Sequence, residues 1–320
     1  MNDAGEPAAD TQISMRHALI AVSLFAATFV ATTYVGALQS GTDLSRGGGW
    51  AAGLPYSAPL MAILLAHELG HFIAARIHRV PASPPFFVPM PFPPLGTMGA
   101  VILMRGRIER RDALLDIGAA GPLAGMAIAL PVLIYGIAQS PVGPEPVGVD
   151  YWMEGRSLLY LGLLYAIKGP IPEGHDILLS PTAFAGWAGL LVTMINLIPV
   201  AQLDGGHVAY ALFGKQQERY SRRVRSLLLP LAIGVALAYG LPGLFAGAKG
   251  DALFAGFAPG GQWLTWWILL RVMTRPDKPE HPPTDDGTLS PRRRAVAIGT
   301  LLLFVLLFMP AWLRQVPAHG

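Results

Sequence analysis

The sequence contains no cysteine and few charged residues. With no cysteine among 320 residues, the chain forms no disulfide, offers no thiolate metal ligand and has no cysteine nucleophile. Charged residues make up 13% of the chain and hydrophobic residues 52%, whereas an ordinary soluble domain carries about 25% charged residues. The composition therefore excludes an ordinary soluble protein, and any bound metal must be held by His, Asp or Glu.

Seven apolar runs are candidates for membrane spans, because a helix needs about 20 apolar residues to cross the hydrocarbon core. The sixth run is interrupted by Gly and Pro, so it is either a span or an interfacial helix. We expect an all-α polytopic membrane protein with six or seven transmembrane helices and a small membrane-associated β segment. In chain order the runs are Ala18–Leu38, Ser57–His78, Leu114–Ala138, Thr182–Val200, Leu227–Leu244, Phe254–Val272 and Ala295–Leu313.

The first run has an alternative interpretation as a cleaved signal peptide. Its length exceeds the roughly 7 to 15 apolar residues of such a peptide, which favours an uncleaved span. The β segment is expected at Gly96–Met104, which is short, apolar and follows the proline-rich residues 81–95. Such a segment adopts an extended conformation more readily than a helix.

Basic residues indicate the orientation of the chain in the membrane. Lys and Arg cluster between the second and third runs and again after the fourth run, and positive loops stay in the cytoplasm. The connection 139–181 is acidic and is expected outside. This pattern explains the net charge of +3 without a nucleic-acid partner, so the lipid bilayer is the expected surroundings and no nucleic acid is expected.

A metal-binding motif lies inside the second run. His67 and His71 are four residues apart, so their imidazoles share one helical face, and Glu68 beside them is a candidate general base. Ionisable groups are costly in hydrocarbon and mark functional sites there. A polar cluster that only joins two helices is the alternative, but it does not explain why three such groups lie together. A catalytic zinc usually takes three protein ligands, and Asp204 at the end of the fourth run is a candidate third one.

The sequence HELGH, followed far downstream by N-L-x-P-x-x-x-L-D-G-G, resembles the paired signature of the site-2 protease family. The resemblance implies one Zn²⁺ per chain, held by His67, His71 and Asp204, with Glu68 as the catalytic acid/base. It further implies an intramembrane zinc metalloprotease that cleaves membrane-spanning substrates near the cytoplasmic side, in regulated proteolysis or signal-peptide clearance. The expected location is a cell membrane, the bacterial inner membrane.

The same resemblance implies a substrate-binding region. In the family a glycine-containing strand precedes the next span, and Gly99 and Val101 of the expected β segment match it. Asn196 opens the second motif and either binds substrate or bridges two helices through its amide. His207 follows the motif and is either an additional ligand or a histidine outside the ligand set. We assign no catalytic role to the remaining histidines, which are His17, His78, His175, His281 and His319.

The apolar runs, charges and motifs together predict a chain of four parts. Residues 1–14 form a cytoplasmic leader, and residues 15–272 form a membrane-embedded metalloprotease domain with its core at 55–215. Residues 273–294 are rich in Pro and charge and are expected to be a flexible linker. Residues 295–320 form a C-terminal transmembrane helix and tail. The connection 139–181 is too short for a PDZ domain.

Other membrane-protein classes fit the sequence less well. A presenilin-like protease needs a G-x-G-D motif, whereas Asp251 is preceded by Ala-Lys-Gly. No G-x-S-x-G motif accompanies a span as a serine protease of the rhomboid type would suggest. The alternative from another class is a non-proteolytic scaffold or a metal transporter that shares the fold. Glu68 argues against the scaffold, and the absence of matched halves argues against the transporter.

Overall fold

The computed structural model describes residues 15–42, 44, 49–104, 108–146, 148–274, 281, 284–285 and 287–316. The predicted leader, residues 1–14, lies outside the described residues, as do parts of the predicted linker 273–294. The fold is mostly helical with small sheets, as the apolar runs predicted.

The described residues form nine α-helices, and most follow the apolar runs of the sequence. Serine and proline mark three of the helix starts: Ser180 and Ser290 each cap a helix whose first residue is proline, and Ser157 caps another. The helices are α1 Met15–Gln39, α2 Leu54–Ile77, α3 Arg111–Gln139, α4 Leu158–Lys168, α5 Pro181–Asn196, α6 Asp204–Phe213, α7 Gln217–Phe245, α8 Gly250–Met273 and α9 Pro291–Leu307.

Six short strands pair into three two-stranded antiparallel sheets. The expected β segment is present as β2 Thr97–Val101, and it pairs with β1 Phe86–Pro89 in the proline-rich segment. The other pairs join segments far apart in sequence. These strands are β3 Val142–Pro144 with β5 His175–Ile177, and β4 Tyr151–Glu154 with β6 Leu313–Val316.

Two apolar runs end earlier as helices than predicted. The fourth run was expected to be helical to Val200, but α5 ends at Asn196. The last run was expected to be helical to Leu313, but α9 ends at Leu307 and Leu313 begins β6. The sixth run, which the sequence left as either a span or an interfacial helix, forms one uninterrupted helix, α8, with Pro259 and Gly260 buried inside it.

Four helical stretches within the described residues are long and apolar enough to cross a membrane. They are Met15–Gln39, Gly49–Ile77, Arg111–Gln139 and Asp204–Phe245. By the length and composition of its helices, the chain is therefore a membrane protein. The same measure gives four candidate spans and does not confirm the predicted six or seven. Helix α5 has 16 residues and α9 has 17, fewer than the about 20 of a typical single crossing.

Helix α3 lies at the centre and packs against α2, α5, α6 and α9. Its N-terminal end gathers the ends of three neighbours. His78 Nε2, just after α2, lies 2.8 Å from Asp116 Oδ2, and Arg293 of α9 forms an ion pair with the same carboxylate. Arg111 donates from Nε to the Ala211 carbonyl of α6 at 2.6 Å. We call this cluster the α3 N-terminal end of the molecule.

The opposite end, called here the α3 C-terminal end, gathers the starts of α2 and α5 and the connection 140–180. Thr182 of α5 donates to the Pro55 carbonyl of α2 at 3.0 Å, and Ser180 donates to the Gly136 carbonyl of α3 at 3.1 Å. Burial raises the pKa of the Glu154 carboxyl in β4, which accepts a hydrogen bond from the Tyr160 hydroxyl at 2.9 Å. The acidic connection is therefore a packed structure.

Candidate metal centre

The three predicted metal ligands meet at one point inside the helix bundle. His67 Nε2 and His71 Nε2 of α2 lie 3.2 Å apart. Asp204 Oδ2, at the start of α6, lies 3.3 Å from the first and 3.2 Å from the second. Both histidines are buried and the Asp204 side chain is 17% exposed. Residues from two motifs 133 positions apart are thus brought into one cluster.

The donor set fits a zinc ion. Zinc bound by histidine nitrogen and carboxylate oxygen has bonds of about 2.0 to 2.2 Å in a tetrahedral arrangement, so its ligand atoms lie about 3.3 Å from one another. The three ligand-atom distances of His67, His71 and Asp204 are 3.2 to 3.3 Å. Two imidazoles and one carboxylate leave a fourth position for water or substrate.

The His71 ring is fixed by groups on α3. Its Nδ1 lies 2.8 Å from the Ile117 carbonyl oxygen. Because a carbonyl only accepts hydrogen bonds, Nδ1 carries the proton and Nε2 presents its lone pair to the centre. A Cβ placed on Gly121 would overlap the His71 ring, and one placed on Gly125 would lie 3.2 Å from the His67 Cβ. Two glycines one turn apart on α3 therefore make room for both imidazoles.

Asp204 is positioned by the break between α5 and α6. The backbone leaves α5 after Asn196 and passes through Ala201, whose φ is +50°. Helix α6 then begins so close to this turn that a Cβ on Gly205 would collide with the Leu197 carbonyl, and one on Gly206 with the Ala201 carbonyl. The glycine pair after Asp204 allows this approach.

Glu68 is buried beside the ligands and lines a cavity of about 420 Å³. The cavity runs from the three ligands to the end of β2 and the residues that follow it. Val101 is among its lining residues and is 52% exposed. Gly99, two residues before Val101 on the same strand, has a φ of +93°. The arrangement places a buried carboxylate, a metal-ligand cluster and an exposed strand around one space.

Asn196 reaches the cluster from the end of α5. Its Nδ2 lies 3.2 Å from His67 Nε2, and its side chain also lines the cavity. The amide therefore spans α5 and α2 at the metal centre. It satisfies the geometric requirement of both interpretations offered by the sequence, a helix-bridging amide and a group that faces substrate.

Two further histidines line the same cavity: His207, which the sequence left as either an additional ligand or a histidine outside the ligand set, and His281, to which it gave no role. His207 of α6 is outside the three-ligand cluster, and its Nδ1 lies 2.8 Å from His281 Nε2. His281 is buried and stacks on Tyr210 with ring centroids 4.1 Å apart. Its position in a Pro-rich charged segment concealed it, since nothing in the local sequence indicates which distant surface such a segment contacts.

The chain belongs to peptidase family M50: the model of that family matches residues 55–239, which include both motifs. The site-2 protease resemblance is thereby confirmed. Among curated proteins, the chain is 31% identical over 258 residues to "Probable zinc metalloprotease EGY2, chloroplastic" of Arabidopsis thaliana, covering 80% of this chain and 41% of that protein. It is 33% identical over 269 residues to "Probable zinc metalloprotease EGY1, chloroplastic" of Oryza sativa subsp. japonica, covering 81% and 41%.

The chain thus spans about two fifths of the length of these relatives. They are plant proteins named as chloroplastic, so they give no support to the expected location in a bacterial inner membrane. No solved structure matches the chain.

Proposed function

We propose that this protein is an intramembrane zinc endopeptidase that hydrolyses peptide bonds of membrane-spanning substrates. The observation that carries the proposal is the meeting of His67, His71 and Asp204 beside the buried Glu68, in a cavity that extends to β2. Membership of peptidase family M50 and the names of the relatives support the same reaction.

The catalytic roles proposed for individual side chains follow from their chemistry. When bound, one zinc ion supplies the Lewis acid that polarises the scissile carbonyl and makes water nucleophilic near neutral pH. His67, His71 and Asp204 hold it, and the Ile117 carbonyl keeps His71 in the binding tautomer. Glu68 takes the proton of the attacking water and returns it to the leaving amine. No covalent intermediate on the protein is needed.

Substrate is proposed to lie along β2. A protease cannot cleave a peptide bond that is sheltered in a helix, and pairing with an exposed strand holds the chain extended. Gly99 offers no Cβ and Val101 is exposed beside the cavity, so this part of β2 is open to a second strand. Asn196, which also lines the cavity, is proposed to hold a substrate backbone group.

Cleavage is proposed near the cytoplasmic side of the membrane. His71 lies eight residues before Arg79, or about 12 Å along a helix, and Arg79 begins a basic loop of the kind kept in the cytoplasm. The α3 N-terminal end would then face the cytoplasm, and α5 followed by α6 would cross the membrane as one interrupted span. The lipid bilayer and proteins with a transmembrane segment are the proposed partners.

The replacement Glu68→Gln tests the proposal, because it preserves shape and removes the proposed base. We expect zinc content and folding to persist while cleavage falls by about 100-fold or more. A tagged single-span substrate is co-expressed with each variant, and the released fragment and the bound zinc are measured in the same preparations.

Glu173→Gln is the matched control, since Glu173 is exposed in the connection 140–180 and the same substitution there should change neither measurement. If Glu68→Gln cleaves as well as the unchanged protein, this cluster is not a protease centre. A scaffold or metal-transport role for the fold would then be favoured.

A further inference from the structure

Histidines 207 and 281 form a second hydrogen-bonded pair beside the proposed catalytic centre. His207 follows Asp204 by three residues on α6, so both side chains lie on the same helical face. His207 Nδ1 and His281 Nε2 are 2.8 Å apart, with ring planes at 87°. A hydrogen bond between two imidazoles requires one nitrogen to donate and the other to accept. The contact therefore orients both rings and couples their tautomers, because the nitrogen that donates carries a proton and the one that accepts does not.

Both rings also line the cavity that contains Glu68 and the end of β2. His207 is half-buried, and among the described residues its Nε2 has no hydrogen-bond partner. His281 is 3% exposed and stacked on Tyr210, which makes it the better fixed ring of the pair. His281 thus holds the His207 ring. His207 Nε2 is left available to a substrate in the cavity.

We propose that His207 is a catalytic residue that donates a hydrogen bond from Nε2 to the carbonyl oxygen of the scissile peptide, and that His281 is the positioning residue that holds it. His281 donates from Nε2 to His207 Nδ1, so the His207 proton resides on Nε2. No proton is transferred by either ring. This inference rests on the proposed function, since it assigns a further group to the same reaction.

The proposed hydrogen bond strengthens as the carbonyl oxygen gains negative charge, so it acts on turnover more than on substrate binding. A peptide paired with β2 enters the cavity between that strand and the metal ligands. Its scissile carbonyl must lie close to the ligand cluster, and His207 is one helical turn from Asp204. A hydrogen-bond donor at His207 is therefore close to the scissile carbonyl oxygen, on which negative charge develops.

The experiment compares His207→Ala and His207→Gln with the unchanged protein. For His207→Ala we expect unchanged zinc content and a kcat about 100-fold lower, the usual effect of removing one such donor. Binding of uncleaved substrate, measured in a Glu68→Gln background, should change less than about threefold, because ground-state binding does not depend on this bond. His207→Gln retains an amide donor and should recover part of the activity. His175→Ala, at an exposed histidine of β5, is the control and should match the unchanged protein.

The positioning role of His281 has its own readout. His281→Phe keeps the stack on Tyr210 and removes the donor, and we expect kcat to fall about tenfold, with part recovered in His281→Gln. The ¹⁵N shifts of selectively labelled histidine in the zinc-loaded protein should show His207 protonated on Nε2, and His281→Phe should disturb that tautomer. The double variant His207→Ala with His281→Phe should be no slower than His207→Ala alone, since the two residues act as one unit.

Several results would overturn the inference without touching the proposed function, which is judged separately by cleavage in the unchanged protein and its loss in Glu68→Gln. Loss of zinc in His207→Ala would make His207 a metal ligand. An unchanged kcat in both His207 variants would leave it without a catalytic role. Additive losses in the double variant would show that His281 does not act through His207.

Discussion

The positions of the proposed zinc ligands depend on glycines, which have no reactive side chain. On α3, Gly121 and Gly125 leave the space that the imidazoles of His71 and His67 occupy. After Asp204, two further glycines allow α6 to start against the α5–α6 turn. The polar residues of the two motifs are recognisable by their chemistry alone, but their convergence requires these close approaches of backbone to side chain.

Removing either imidazole should empty the metal site. We expect His67→Ala and His71→Ala to lose bound zinc, because two remaining ligands hold the ion far less tightly than three. Asp204→Asn weakens one ligand without removing it, so zinc occupancy and cleavage should both fall and should partly recover at high zinc concentration. Metal analysis of detergent-purified protein measures occupancy. Full zinc in either alanine variant would contradict the assignment of the ligands.

A single added methyl group at Gly121 should damage the same site. In Gly121→Ala the Cβ would overlap the His71 ring, and displacing a catalytic group by about 1 Å costs about 100-fold in rate. We expect reduced zinc occupancy together with this loss of cleavage. Gly234→Ala on α7 is the matched control, because its Cβ would meet nothing within 4 Å. Equal behaviour of the two variants would show that Gly121 makes no room for His71.

Among the secondary-structure elements, the β1–β2 sheet is the one proposed to hold substrate. We expect Val101→Pro to slow cleavage and leave zinc bound, because proline removes a backbone donor from the strand. One lost backbone hydrogen bond is worth about 0.5 to 1.5 kcal/mol, or about 2- to 10-fold in substrate affinity. Rates are measured against substrate concentration with the single-span substrate.

Val101→Ala serves as the comparison for Val101→Pro, since it shortens the same side chain and keeps the backbone donor. Helix-breaking residues in the substrate span should speed cleavage, because they favour the extended form that β2 is proposed to bind. An unchanged cleavage rate in Val101→Pro at substrate concentrations below KM would remove β2 from the substrate-binding region.

The helices were the most predictable elements, because a long apolar run such as Leu114–Ala138 indicates a helix that is buried or faces lipid. The β2 strand was also predicted, because its segment is short and follows a proline-rich stretch. The three-ligand cluster was predicted because ionisable residues inside an apolar run indicate a functional site. The pairing of β4 with β6 and the insertion of His281 beside His207 were missed. Both depend on contacts between segments more than 70 residues apart, which local composition does not encode.

At the scale of the whole molecule, contacts sort the helix ends into two groups. The α3 N-terminal end joins the end of α2, the end of α6 and the start of α9 through His78, Asp116, Arg111 and Arg293. The α3 C-terminal end joins the starts of α2 and α5. Strand β6, which follows α9, pairs with β4 in the connection 140–180. Helix α9 therefore leads from one group to the other.

This sorting predicts the membrane topology. Labels after Arg110, after Arg219 and at Ser290 should all report one side, and labels at Glu154 and Gln315 should report the other. Because the basic residues lie with the first group, that side should be the cytoplasm. Single cysteines are suitable labels, since the chain has none of its own, and each is tested with a membrane-impermeant thiol reagent in intact and opened membranes. A cysteine at Gln315 that reacts on the same side as one after Arg219 would contradict the crossing by α9. A cytoplasmic Glu154 would invert the orientation, and the proposed cleavage near the cytoplasmic face would fail with it.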